Sequence, residues 1–322
     1  EADTLFYRAE TTHSQTLNDS ALNNYHGISA FTSSANVKTT VFMKSLGYGA
    51  KNSYNRYCFE ESSPVSNLFL NVKYMLERDG KVEENNYFDD IYQSGKVHLL
   101  ENNAYLPLGF LVNEELAELS FESELASLLF QNELLSYATG MDEEFWTLIP
   151  VDEITAQGVP LESQTESGYC SYTTSDTNGT ILYSYTVDQE GFMCFDLNQS
   201  KKNGITVRKN GVQLYTETYS IPQTLAVCEV VPGDQIEIKL STKKAEKGTV
   251  RIYAGVLDEA LFRQAYDVLA QSTLELTKFE NTRIEGTIDC DRDGLLYTSI
   301  PQNGNWYATV DGEPAEITLV GD

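Results

Sequence analysis

The chain has 322 residues, with 48 Asp and Glu against 22 Lys and Arg, so its formal charge is −26. A surface this negative repels phosphate backbones and anionic lipid heads, which argues against nucleic acid or a membrane surface as its partner. The apolar content of 41% is too high for a disordered chain, and the length predicts two or three domains.

Residues 1–158 read as a mixed α/β domain. Residues 5–10 (LFYRAE) make a short strand with alternating faces. Val37, Val41, Phe42 and Leu46 fall at helical spacing, with Asn36 as the cap and Gly47 past the end. After Pro64 a helical turn leads into a strand holding Val72, Tyr74 and Leu76. Residues 95–114 predict two strands joined at Glu101-Asn102-Asn103. Residues 114–137 carry a leucine stripe (Leu116, Leu119, Leu125, Leu128, Leu129) among glutamates and predict a helix. Asp142-Glu143-Glu144 suit a further helix N-terminus, where the backbone dipole favours negative charge.

The texture changes after Pro160, and residues 164–179 read as a loop-rich entry. From 180 to 256 apolar and polar residues alternate in short runs, as in an antiparallel β-sandwich of jelly-roll or immunoglobulin-like type. Asn210-Gly211 predicts a two-residue hairpin turn, Pro232-Gly233-Asp234 another turn, and Asp311-Gly312 a second hairpin. Residues 257–271 place Leu257, Leu261, Ala265, Val268 and Leu269 on one helical face. The expected class is α+β: a mixed domain (1–158), a β-sandwich (159–256), and a segment (257–322) whose helix and strands complete or extend the sandwich.

Both ends read as cuts in a longer chain, which opens on Glu1 and stops just after Val320. No run approaches the ~18 apolar residues of a membrane helix, so any anchor is expected outside this piece. Cys58, Cys170, Cys194, Cys228 and Cys290 form no C-x-x-C. Buried thiols are expected, with one disulfide among Cys170, Cys194 and Cys228 as the alternative.

Sites for chemistry are few. His13, His26 and His98 lack partners at ligand spacing, and no nucleophile elbow, P-loop or dinucleotide fingerprint occurs. No catalytic residue and no cofactor are expected. Asp289, Asp291 and Asp293 match the first half of a calcium loop. Tyr297 and Ile300 fail the second half, which favours a solvated turn between RIEGTIDC and GLLYTSI. Trp306 and Tyr307, beside Asn303-Gly304-Asn305, suit a stacking platform for a sugar ring; a Trp closing the sandwich core is the structural alternative. Tyr7, Arg8, Ser33, Ser34 and Asn36 offer charge-assisted contacts to a phosphate or sugar, unless Arg8 pairs with a carboxylate and the serines end a turn.

Residues 295–317 (LLYTSIPQNGNWYATVDGEPAEI) resemble the soluble C-terminal region of the bacterial YfhO-type membrane proteins, whose pattern there is a strand, S-I-P-Y, G-W and V-D-G. FYRAE, YHGISAFTSSAN, FMKSLGY, NLFLNVKYML and NAYLPLGFLV follow in the family's order, so the resemblance runs nearly end to end. Gln302 stands where the pattern has Tyr, and Asn305 where it has Gly before Trp. The resemblance implies a polytopic membrane protein of mainly Gram-positive bacteria, similar to glycosyltransferases that use a polyprenyl-phosphate sugar donor. It implies an extracytoplasmic region tethered by its own transmembrane domain, with a cell-envelope glycan or lipid-linked sugar as partner. In that setting the fragment positions donor or acceptor without catalysing alone. The alternative is a stand-alone carbohydrate-binding or adhesion module at the cell surface.

Overall fold

The computed structural model describes residues 5–12, 14–50, 55–59, 63–78, 86–120, 126–175, 177–219 and 221–320. His13, and Leu125 of the leucine stripe, lie outside the described residues. The chain is mostly β, and its antiparallel sheets include a sandwich.

The sandwich pairs a five-stranded with a six-stranded sheet. In the first, Glu153–Gln157, Gly179–Thr186, Gln235–Thr242, Gly204–Lys209 and Val212–Thr218 lie in that order. In the second, Leu161–Gln164, Tyr169–Thr173, Lys247–Leu257, Gly191–Gln199 and Gln223–Val230 follow one another, with Trp146–Ile149 also paired to Lys247–Leu257. Period-2 patterning fills the space between them: Ile181, Tyr183 and Tyr185 face Met193, Phe195 and Leu197 in one core with Ile236, Ile238 and Leu240. Asn210 and Gly211 both have positive φ (52° and 79°), the geometry of a tight hairpin turn, and join Lys209 to Val212. The sandwich therefore begins at Trp146, ahead of the expected boundary at 158.

The alternation fails at Phe192 and Cys194, and the fold shows why. These residues and Leu257 leave the sandwich core and join a second core on the outer face of the six-stranded sheet. Helices Ser127–Thr139 and Glu259–Ala270 cover that face, contributing Leu128, Leu134, Leu135, Phe262, Ala265 and Leu269. Fully burying such a side chain contributes ~1.5–3 kcal/mol, so this contact is a major term.

The N-terminal part shares that second core. A four-stranded sheet runs Arg8–Thr11, Val72–Glu77, Val97–Asn102, Phe88–Ser94, its first pair parallel. Asn36 caps helix Val37–Ser45 by accepting from Lys38 N and Thr39 N, and Gly47 follows its end at φ 93°. Pro64 opens helix Pro64–Phe69 beneath the cap Ser63. The strands at 97–102 and 109–112 both form but do not pair with each other.

Three expectations need correction. Asp142-Glu143-Glu144 precede strand Trp146–Ile149 and start no helix. The segment after 257 does not complete the sandwich: its helix packs on the other core, and Leu295–Thr298 pairs with Gly109–Val112. There Tyr297 stacks against Phe69 and Phe110 (centroids 5.5 and 5.1 Å) and donates to Phe69 O at 3.1 Å. Lastly, the disulfide alternative gives way to free thiols at all five cysteines. Strand alternation sends Cys194 and Cys228 to opposite faces of one sheet, Cys194 into the second core and Cys228 against the sandwich core.

Candidate functional site

The site grows from Arg8, the first residue of a strand that runs parallel to Val72–Glu77. Just upstream of that neighbour, helix Pro64–Phe69 ends and Asn71 takes φ 56°. Asparagine tolerates this left-handed conformation, which lets the chain leave the helix and enter the strand at once. The Asn71 amide is fully buried; its Nδ2 donates to Leu106 O at 3.1 Å and Pro107 O at 2.7 Å. Its Oδ1 accepts from the Ser299 hydroxyl and from Arg8 Nη1 at 3.3 Å. Arg8 also donates to Leu70 O at 2.8 Å, to Ser299 Oγ at 2.5 Å and to Ser299 O at 3.2 Å. Ser299 thus donates once and accepts once, as a hydroxyl can.

Among the described residues no carboxylate pairs with Arg8, so the expected ion pair is replaced by carbonyl, amide and hydroxyl acceptors. Burial pulls the guanidinium below its ordinary pKa. Burial, and after it the charge of Arg8, lowers the pKa of His26, whose ring lies 5.0 Å from Phe6 and 5.4 Å from Phe279. Glu10 is buried on the same strand and raised by that burial; its carboxylate accepts from Ile28 N, from Ser29 N at 2.6 Å and from Ser29 Oγ at 3.3 Å. It thereby fixes the start of the loop that carries Ser33, Ser34 and Asn36.

Asn36 reaches the C-terminal loop. Its Nδ2 lies 3.5 Å from Gln302 O while its Oδ1 caps the helix. Gln302 then ties the loop to itself, donating to Trp306 O at 3.2 Å and accepting from Gly304 N at 2.7 Å. Gly304 has φ 84°, which glycine adopts freely. Trp306 is half-buried and belongs to neither core, so it does not close the sandwich. Tyr307 stands 91% exposed.

Three of the predicted residues, Arg8, Asn36 and Trp306, are therefore tied to one loop through Ser299 and Gln302, and Tyr307 follows Trp306 in that loop. The others lie apart. Tyr7, just ahead of strand Arg8–Thr11, lies edge-on to Tyr74 at 5.1 Å. Ser33 and Ser34 are exposed in a turn, where Ser34 N donates to Thr32 Oγ1 at 3.3 Å. Asp289, Asp291 and Asp293 are exposed on the connection between Arg283–Thr287 and Leu295–Thr298, two strands that do not pair with each other. Among the described residues no three His, Cys, Asp or Glu side chains group as metal ligands. His98 Nδ1 lies 2.7 Å from Asp90 Oδ2 on an exposed hairpin, away from the loop site.

Sequence reasoning missed Asn71, Glu10 and Ser299. Asn71 carried a usable signal, an asparagine between a helix and a strand. Ser299 lies 291 positions from Arg8, a distance no local pattern bridges. Chemically, the loop offers an open aromatic ring and neutral hydrogen-bonding groups on a fixed backbone, a set suited to binding.

The sequence profile described as "Bacterial membrane protein YfhO" matches residues 1–321. The chain belongs to the YfhO family. Among the described residues of this YfhO chain no helix is long and apolar enough to cross a membrane. No curated protein matches it. Among solved structures, a family 35 carbohydrate binding module from Clostridium thermocellum aligns at 10% identity and TM-score 0.26, over 35% of the YfhO chain and 98% of its own. The CBM35 from Paenibacillus barcinonensis aligns at 16% identity and TM-score 0.27, over 35% and 99%. The C-terminal CBM6 of LamC, from Zobellia galactanivorans, aligns at 10% identity and TM-score 0.25, over 34% and 98%.

Proposed function

We propose that this YfhO chain is the extracytoplasmic part of a polytopic membrane protein, similar to polyprenyl-phosphate-sugar-dependent glycosyltransferases of the cell envelope. In this reading it holds a glycan donor or acceptor for chemistry carried out elsewhere in the protein. Family membership supports the membrane setting. The observation that carries the glycan role is the loop of residues 299–307, anchored by Arg8 at Ser299 and by Asn36 at Gln302, with Tyr307 held in water. A fixed loop loses little entropy on binding, and an aromatic face beside amide groups matches the apolar and hydroxylated faces of a sugar.

Calorimetric titration of the chain with neutral, lipid-free envelope polysaccharides tests this. Tyr307→Ala and Trp306→Ala are expected to weaken binding at least tenfold, with the unfolding temperature unchanged. A wild-type chain that binds none of these polymers sinks the glycan role.

A further inference from the structure

The six-stranded sheet has an outer face that the two helices cover at one end only. At the uncovered end, Tyr169–Thr173, Lys247–Leu257 and Gly191–Gln199 lie side by side. Their register sets Tyr169, Arg251 and Asn198 in one row across the face. Tyr253 follows two residues along the middle strand, on the same side and opposite Asp196.

Arg251 is the unusual member. Its guanidinium carbon lies 5.5 Å from the Tyr169 ring centre and 5.9 Å from that of Tyr253. Its Nε is buried with no hydrogen-bond partner. Among the described residues no carboxylate pairs with it, in a chain where 48 acidic residues face 22 basic ones. A buried donor left without an acceptor is costly, so a retained one calls for an explanation. The exposed Asn198 adds an amide beside it.

Next to this row the ladder along Lys247–Leu257 changes partner. Tyr169–Thr173 pairs with residues 247–251, and Trp146–Ile149 pairs with residues 254–257. At the break lies a cavity of about 280 Å³ whose lining includes Leu148, Pro150, Glu166, Ser167 and Tyr253. Tyr253 thus belongs to both the outer face and the cavity. This volume falls just below the usual range of ligand pockets, roughly 300–1,000 Å³, and suits a single ring.

We propose that this face is a saccharide subsite for one neutral hexopyranose unit, a proposal that rests on the glycan-positioning reading above. The C–H face of the pyranose carries partial positive charge and packs on the electron-rich faces of Tyr253 and Tyr169. Its hydroxyl oxygens accept from Arg251 and Asn198, and its hydroxyl hydrogens donate to Glu166. The net charge of −26, with Glu166 and Asp196 close by, selects a neutral ring over a sugar acid or sugar phosphate.

Saturation-transfer difference NMR tests it, with methyl α-D-glucopyranoside and methyl α-D-galactopyranoside as neutral probes and glucose 1-phosphate as the anionic one. The expected result is saturation of at least one neutral probe by the wild-type chain. Arg251→Gln and Tyr253→Ala then weaken it at least fivefold, and Tyr92→Ala, an exposed ring on strand Phe88–Ser94 outside both glycan sites, leaves it unchanged. Arg251→Lys and Tyr253→Leu, which keep charge and bulk, serve if the first pair shift the unfolding temperature. Neutral binding that survives both the Arg251 and the Tyr253 changes overturns the proposal, as does tighter binding of glucose 1-phosphate. A wild-type chain that binds polymer through Tyr307 but neither neutral probe overturns the subsite and leaves the glycan role standing.

Discussion

Asp196 sits on the sandwich strand Gly191–Gln199 and is nearly buried, yet its carboxylate serves a helix from another part of the fold. It accepts from Leu128 N at 3.3 Å at the start of helix Ser127–Thr139, whose own N-cap, Ala126, has no side-chain acceptor. Thr224 Oγ1 donates to its other oxygen at 2.5 Å. Burial outweighs these bonds and raises its pKa to about 6, above the ~3.9 of an unfolded aspartate. The folded state therefore holds the proton more tightly than the unfolded chain between those values. Stability from this group is complete below pH ~4 and lost as pH rises through about 6, a change of ~3 kcal/mol. Asp196→Asn is expected to flatten that decline, because the neutral amide still accepts at the helix and Thr224 can accept from its Nδ2. Urea midpoints between pH 4.5 and 7.5 for both proteins measure it, and equal slopes would show that Asp196 does not titrate in this range. The position was not legible in the sequence: Asp196 breaks an apolar run, and nothing local announces a helix N-terminus 68 residues away.

At the scale of elements, the local signals were reliable and the partners were not. Asn36 and Gly47 marked both ends of helix Val37–Ser45, because capping and positive φ are properties of a few adjacent residues. What Gly47 also does is tertiary. Its carbonyl accepts from Thr224 N at 2.7 Å, and a Cβ there would fall 2.0 Å from Thr224 Oγ1. Gly47→Ala therefore combines left-handed strain of ~1–2 kcal/mol with overpacking of ~1–3 kcal/mol. The expected loss is about 2–5 kcal/mol in urea unfolding, with displacement of Thr224 from Asp196. A loss under about 0.5 kcal/mol would mean that the junction yields without strain. Strand pairing shows the same division. Period 2 revealed LLYTSI as a strand, but only the fold paired Tyr297 with Phe110. The acidic triplet at 142–144 misled for a related reason: charge suits a helix start but does not make one, and the Trp146 that follows was needed in the sheet.

For the whole molecule, the chain order of the parts and their packing order differ. The sandwich closes within residues 146–257, but its outer face is finished by helices from both sides of it in sequence, and the C-terminal strand returns to the N-terminal core. Cutting the chain at the apparent boundaries would expose Phe192, Leu257 and Tyr297, all buried here. The extracytoplasmic reading is likewise a statement about the whole molecule. Cys290 is exposed, whereas Cys58, Cys170 and Cys194 are buried. A membrane-impermeant maleimide is expected to label intact cells that express the parent protein, and Cys290→Ser to abolish most of that label. Labelling that appears only after permeabilisation would place the chain on the cytoplasmic side.

Motifs spread in order along the chain carried the resemblance to the family, and the sequence by itself determined the acidic surface, the β-sandwich, the capped helix Val37–Ser45 and the hairpin turns. Each depends on composition or on residues within a few positions of one another. Only the tertiary structure decided that Arg8 meets Ser299, that Asp196 caps a distant helix, and that Tyr169, Arg251 and Asn198 share a row. Those are meetings of residues far apart in the chain, fixed by strand register and by which apolar faces are left to cover.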